Sequence, residues 1–286
     1  MENMGQNYGH YCPAGATWSQ CYIGATPGIE LNVITFTPGL PEGGNRLPPI
    51  IFLPGLGSVP DNFRDTVVAL AERHIVYYIE TREKGSSQTE GRAGYSIGEI
   101  ASDLPVVIEK LGLRAGEYIV CGYSLGATVA VSAQKLTGQK PAALVLIEPS
   151  ATFKWPWWLP PLARIGVPLY PVIKPFIKWY MKKFHINAEG DYEMYEINAR
   201  ILDQADPRKL AATVIAVAKY EIWTDLKSVD VPVLVIGVSK DKFHSHDEAS
   251  NIATAIAGSS YTDIETNRRS HSAEAADLIS KFCENL

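Results

Sequence analysis

The stretch Glu117-Tyr118-Ile119-Val120-Cys121-Gly122-Tyr123-Ser124-Leu125-Gly126-Ala127-Thr128-Val129-Ala130 decides how the rest of the chain is read. Residues 118–121 suit a buried strand, and residues 127–136 suit a helix. Between them Gly122, Ser124 and Gly126 form G-x-S-x-G, the pattern of a serine set in a sharp strand-to-helix turn. Such a turn crowds the residues two before and two after its apex, so a side chain at either place would clash. The serine is left on strained backbone with its hydroxyl above the sheet edge. The helix N-terminus aims amides at the same spot, where they favour a developing oxyanion. An ordinary glycine-packed turn would carry the same two glycines. The strand before it and the small-residue helix after it favour a nucleophile.

On the N-terminal side, residues 29–36 alternate and are β-branched. Residues 49–53 are a continuous apolar run, as in a strand buried on both faces. That run enters Pro54-Gly55-Leu56-Gly57-Ser58, a glycine-rich loop at a strand end. Asp61 opens a helix with Phe63, Val67, Leu70 and Ala71 on one face. Residues 75–79 form the next strand, and a polar loop over 80–87 follows. Residues 97–111 read as a helix that Pro105 kinks or divides. Past the serine turn, residues 142–147 form another strand, ending in Glu148-Pro149-Ser150. The first twenty or so residues show no periodicity. This alternation predicts an α/β fold: a mostly parallel central sheet with helices on both faces.

The alternation stops at about residue 151 and resumes at about 228. The intervening segment is rich in Trp and Pro, with helix-like stretches at 192–202 and 207–221. It reads as a helical cap, so the expected organisation is core over 1–150, cap over 151–227 and core again over 228–286. Residues 231–238 resume the strand pattern. A helix over 247–257, a short strand over 261–264, a loop over 265–270 and a terminal helix from Ser272 complete the chain.

In an open parallel sheet, ligands bind at the carboxyl ends of the strands. A serine there needs a base to take its proton, and the base needs an anionic partner. His271 follows the last strand in a polar loop and is the preferred base. Asp241 follows the strand over 231–238 and gives the chain order Ser…Asp…His. Glu148 also ends a buried strand and is the rival acid. On this reading Asp241→Asn damages catalysis and Glu148→Gln does not. Two backbone amides should hold the oxyanion, those of Leu125 after the serine and Leu56 in the glycine-rich loop.

A net charge of -5 leaves no basic excess for a nucleic-acid backbone. No apolar run reaches the roughly 18 residues of a membrane span. Residues 1–6 have neither a basic nor an apolar region of a secretory signal. The expectation is a cytoplasmic protein of unassigned oligomeric state. Cys121 reads as a buried small hydrophobe, and Cys12 and Cys21 as a pair only in an oxidising compartment.

With these residues in place, the chain resembles the α/β-hydrolase superfamily in its cap-containing serine esterase and lipase-like branch. The resemblance runs from about residue 29 to the C-terminus. Gly122-Tyr123-Ser124-Leu125-Gly126 corresponds to the family's elbow, Asp241 to its acid position and His271 to its base. It implies attack by Ser124 on an acyl carbonyl, an acyl-enzyme, and hydrolysis by water that His271 activates, with no metal or organic cofactor. Carbon–carbon bond hydrolases and perhydrolases use the same three residue types, and a small-molecule receptor on this fold would need a broken triad. Two departures stand out. Pro54 precedes Gly55 where the family usually has His. The loop Glu80-Thr81-Arg82-Glu83-Lys84-Gly85-Ser86-Ser87 replaces a frequent Asp-x-Arg-Gly-x-Gly-x-Ser.

The substrate expectation is a hydrophobic carboxylic ester, thioester or lipid-like acyl ester. Gly55, Tyr123, Trp155 and Trp158 are expected to line its pocket. The aromatic, lysine-bearing stretch over 153–183 could line an acyl pocket, dock on a lipid interface, or simply pack on the core.

Overall fold

The computed structural model describes residues 7–40, 44–153, 159–180, 182–183, 192–240 and 246–286. Within these residues the apolar runs become strands of one sheet. They are β1 (Thr17–Gly24), β2 (Ile29–Thr37), β3 (Ile50–Leu53), β4 (Val76–Glu80), β5 (Gln88–Thr89), β6 (Ile119–Tyr123), β7 (Ala143–Ile147), β8 (Val233–Gly237) and β9 (Ser260–Asp263). In space the order is β1-β2-β4-β3-β6-β7-β8-β9, with β5 paired to β2. From β4 to β9 the pairings are parallel, whereas β2 runs antiparallel to β1 and β4.

The helices are α1 (Arg64–Leu70), α2 (Ile97–Ala101), α3 (Asp103–Lys110), α4 (Leu125–Ala133), α5 (Leu159–Gly166), α6 (Tyr170–Tyr180), α7 (Tyr192–Gln204), α8 (Pro207–Val217), α9 (Trp223–Leu226), α10 (His246–Ala255), α11 (Asn267–Ser270) and α12 (Ala273–Glu284). Alternate strand residues face opposite layers. Ile51 and Leu53 pack with Ile97, Ile100, Val129 and Ile252 from α2, α4 and α10. Ile50 and Phe52 pack with Val67, Leu70, Ala275 and Ile279 from α1 and α12. The sheet is therefore covered on both faces.

Register brings the strand ends together. Leu53 pairs with Gly122, Tyr123 with Ile147, and Ile147 with Ile236. The loops that leave β3, β6, β7 and β8 therefore open on one edge. Helices α5 to α9 lie between β7 and β8 in sequence; α9 packs into the core beside α4 and α10, while α7 and α8 touch that edge. Arg200 pairs with Asp61 at 2.9 Å, and Lys209 Nζ donates to the carbonyls of Lys84 (3.0 Å) and Ser87 (2.6 Å).

Several expectations change in detail. The helix over 97–111 is two helices meeting at Ser102, with Pro105 in the first turn of α3, where its missing N–H costs nothing. The unassigned N-terminus contains β1, an edge strand with half its residues exposed and Ile23 buried. Residues 265–270 include the one-turn α11. The polar loop over 80–87 is largely interior, with Glu80, Arg82, Glu83 and Lys84 each 4% exposed. The four cysteines are free, and Cys121 and Cys283 are buried.

Candidate active site

The turn at Ser124 has the geometry its glycines anticipate. A Cβ on Gly126 would lie 2.1 Å from the Leu53 carbonyl oxygen, and one on Gly122 would lie 2.5 Å from Ala127 Cα. Ser124 itself has φ 51 and ψ -112. Such backbone costs a non-glycine residue about 1–3 kcal/mol, which the packing around it must offset. The Ser124 amide donates to the Ile147 carbonyl at 2.9 Å, and the Ser124 carbonyl accepts from Ala127 (3.0 Å) and Thr128 (3.2 Å). Helix α4 thus starts on the serine, with the amides of Leu125 and Gly126 in its first turn, where a helix has no internal acceptor to give them.

The β3 loop sits against the same residue. A Cβ on Gly55 would lie 3.4 Å from Ser124 Cβ and 3.2 Å from Ser58 Oγ. The Gly55 carbonyl accepts from the Ser58 amide (3.2 Å) and from the buried Lys84 ammonium. Lys84 in turn pairs with Glu83 at 3.1 Å, whose Oε1 accepts from Thr81 at 2.6 Å. A trans peptide sets its C=O and N–H on opposite sides, so a donor that fixes the Gly55 carbonyl also fixes the Leu56 amide.

His271 caps α11 and is half-buried. Its ring stacks on Phe63 (centroids 4.9 Å, 22°) and leans on Tyr123 (4.5 Å, 49°), the residue before the serine. Nδ1 lies 2.8 Å from the Asn267 carbonyl, 3.1 Å from Tyr123 Oη and 3.4 Å from Ser270 Oγ. A carbonyl oxygen can only accept, so the shortest of these contacts places the proton on Nδ1 and the lone pair on Nε2.

Glu148 is 1% exposed and has φ 48, a second strained non-glycine residue directly after β7, the strand beside β6. Its Oε1 accepts from Tyr123 Oη and from Ser270 Oγ, each at 2.5 Å. Asn267 Nδ2 reaches Oε1 and Oε2 at 3.2 and 3.1 Å. The carboxylate is thus joined to both hydroxyls that flank Nδ1.

The structure therefore brings together Ser124, Leu125, Gly55, Leu56, Tyr123, Glu148 and His271. Asp241, Trp155 and Trp158 lie outside the described residues. Tyr123, expected against substrate, is 4% exposed with its hydroxyl in the Glu148 network. Sequence reasoning did not single out Lys84, Asn267 or Ser270. The signal for Lys84 was the departure at Glu83-Lys84 from the resembled loop pattern. Asn267 and Ser270 had no signal beyond their closeness to His271.

Beside the glycine-rich loop is a cavity of about 290 Å³ bounded by Ser58, Glu80, Glu83, Lys84 and Asp206. Burial pushes the Glu80 carboxyl up to about 7, with the Lys84 charge opposing the shift. Glu83 Oε2 is buried with no hydrogen-bond partner among the described residues. Val59, Pro60, Ala205 and Leu210 supply the apolar part of the cavity's wall. Among the described residues no group of His, Cys, Asp and Glu could hold a metal ion.

Residues 50–277 match the Alpha/beta hydrolase family. No curated protein matches the chain. Solved structures do. A thermophilic esterase from Thermogutta terrifontis is similar with a TM-score of 0.76 at 20% identity, over 93% of this chain and 98% of that one. The enol-lactonase from Burkholderia xenovorans LB400 is similar with a TM-score of 0.74 at 20% identity, over 93% and 98%. A bromoperoxidase from Bacillus anthracis is similar with a TM-score of 0.73 at 18% identity, over 93% and 100%. At such identities the likeness is one of fold.

Proposed function

The chain belongs to the alpha/beta hydrolase family, a family of hydrolase enzymes, and from that premise we propose that it cleaves carboxylic esters through Ser124 and His271. The observation that carries this reading is Ser124 on left-handed backbone, wedged between glycines that admit no side chain, with the imidazole of His271 packed on the adjacent Tyr123. Nε2 takes the serine proton as Oγ attacks the acyl carbonyl, and the amides of Leu125 and Leu56 receive the oxyanion. The imidazolium gives that proton to the leaving alkoxide, and an acyl-enzyme remains. Water, deprotonated by the same nitrogen, then releases the acid. The segment over 151–227 acts as the cap and sets acyl specificity.

Asp241 is the proposed acid. A second reading gives that role to Glu148, and its support is specific: Glu148 accepts from two hydroxyls that lie within 3.4 Å of Nδ1. The test of the reaction is a panel of p-nitrophenyl esters of increasing acyl length. Turnover that disappears in Ser124→Ala is expected. Turnover unchanged in Ser124→Ala, or diketone cleavage without ester cleavage, overturns the ester reading.

A further inference from the structure

Helix α5, the 3-10 turn over Val167–Leu169 and helix α6 carry a row of apolar side chains on their exposed side. Ile165, Leu169, Val172, Phe176 and Trp179 are 70%, 53%, 77%, 61% and 49% exposed. Their spacing of four, three, four and three residues places them on one helical stripe. Between them on the same face stand Pro168, Pro171 and Pro175, also exposed. Two lysines of α6 point the other way. Lys174 and Lys178 are half-buried and pair with Asp203 at 3.1 and 2.6 Å. A contiguous exposed row of Ile, Leu, Val, Phe and Trp of this kind marks an interaction surface.

Three further features give that stripe a partner. Residues 159–183 carry Arg164, Lys174, Lys178, Lys182 and Lys183 and no Asp or Glu, in a chain whose net charge is -5. Lys182 and Lys183 are exposed just beyond Trp179, where long cationic side chains can reach phosphates while an indole sits at the headgroup boundary. The stripe also borders an open groove against α8, lined by Val167, Pro171, Ala211 and Ile215 with Arg208 at its rim. Among the described residues no helix is long and apolar enough to cross a membrane, so the contact lies in the plane of the surface.

We propose that the outward face of residues 165–183 is a docking surface for an anionic lipid bilayer. It holds the cap, and with it the mouth of the site, against the source of an apolar substrate. The inference stands apart from the bond that Ser124 attacks, because its readout is binding and not turnover.

The test is co-sedimentation of the full chain with vesicles of phosphatidylcholine alone and of phosphatidylcholine with a minority of phosphatidylglycerol. Wild type is expected to sediment with the mixed vesicles. Val172→Asp and Phe176→Asp should each weaken that binding about tenfold or more. Lys182→Ala and Lys183→Ala should each weaken it roughly fivefold, without effect on neutral vesicles. Melting temperature reports the fold of each variant. If an Asp variant melts early, Phe176→Ser serves in its place. Failure of wild type to bind, or binding equal in all variants, overturns the proposal. So does a wild-type dimer that Phe176→Asp splits while vesicle binding is absent, because the face would then serve self-association.

Discussion

At His271 the hydrogen bond from Nδ1 to the Asn267 carbonyl fixes the tautomer before any carboxylate is considered. What a carboxylate adds is stabilisation of the imidazolium that forms when Ser124 gives up its proton. On the Asp241 reading, Asp241→Asn lowers kcat by about 10⁴-fold and Glu148→Gln by no more than about tenfold. Steady-state kinetics on the two variants side by side decide this, and the reverse order transfers the role to Glu148. A second residue-scale consequence concerns Lys84, which holds the Gly55 carbonyl and so orients the Leu56 amide. Lys84→Met keeps the length of the side chain and removes the donor. It should lower kcat about 10- to 100-fold with little change in KM, and affinity for a trifluoromethyl ketone should fall in parallel. A kcat within about twofold of wild type would remove Lys84 from the oxyanion hole's support.

Among the elements, the elbow is the least tolerant of change. In Gly126→Ala the new methyl meets the Leu53 carbonyl oxygen, which is backbone and has nowhere to move. The substitution should cost about 3 kcal/mol or more, read as a shifted denaturation midpoint and loss of soluble yield. Recovery of wild-type stability would mean that β3 and α4 do not pack this closely. These contacts were legible in the sequence because glycine at two fixed offsets from a serine has a steric cause. The central strands were legible for a similar reason: β3, β6, β7 and β8 are buried on both faces and so read as unbroken apolar runs. Other elements gave no such signal. β1 is an edge strand of mixed polarity, and its order comes from pairing with β2 along its whole length. Helices α5 and α6 run through Pro160, Pro161 and Pro175, which propensity alone reads as breaks. The interior position of Glu80 to Lys84 was hidden because charged residues read as solvent-facing. Their burial depends on partners far away in sequence, among them Asp103 for Arg82 and Gly55 for Lys84.

The sheet as a whole brings residues 124 and 271 to one edge, since β6 lies at its centre and α11 follows β9, its last strand. Both come from layers that fold for reasons unrelated to chemistry, and Phe63 from the opposite end of the chain completes the seat of the imidazole. Helices α5 to α9 are inserted between β7 and β8 in sequence; Arg200 and Lys209 of α7 and α8 reach the loops after β3 and β4, and Ile222 and Leu226 join the core beside α4 and α10. The central claim is that His271 makes Ser124 the reactive hydroxyl, and fluorophosphonate labelling followed by peptide mapping tests it most directly. One adduct is predicted, on Ser124, and His271→Ala should form it at least about 10³-fold more slowly. An adduct on another residue, or labelling of Ser124 at an unchanged rate in His271→Ala, would contradict the account.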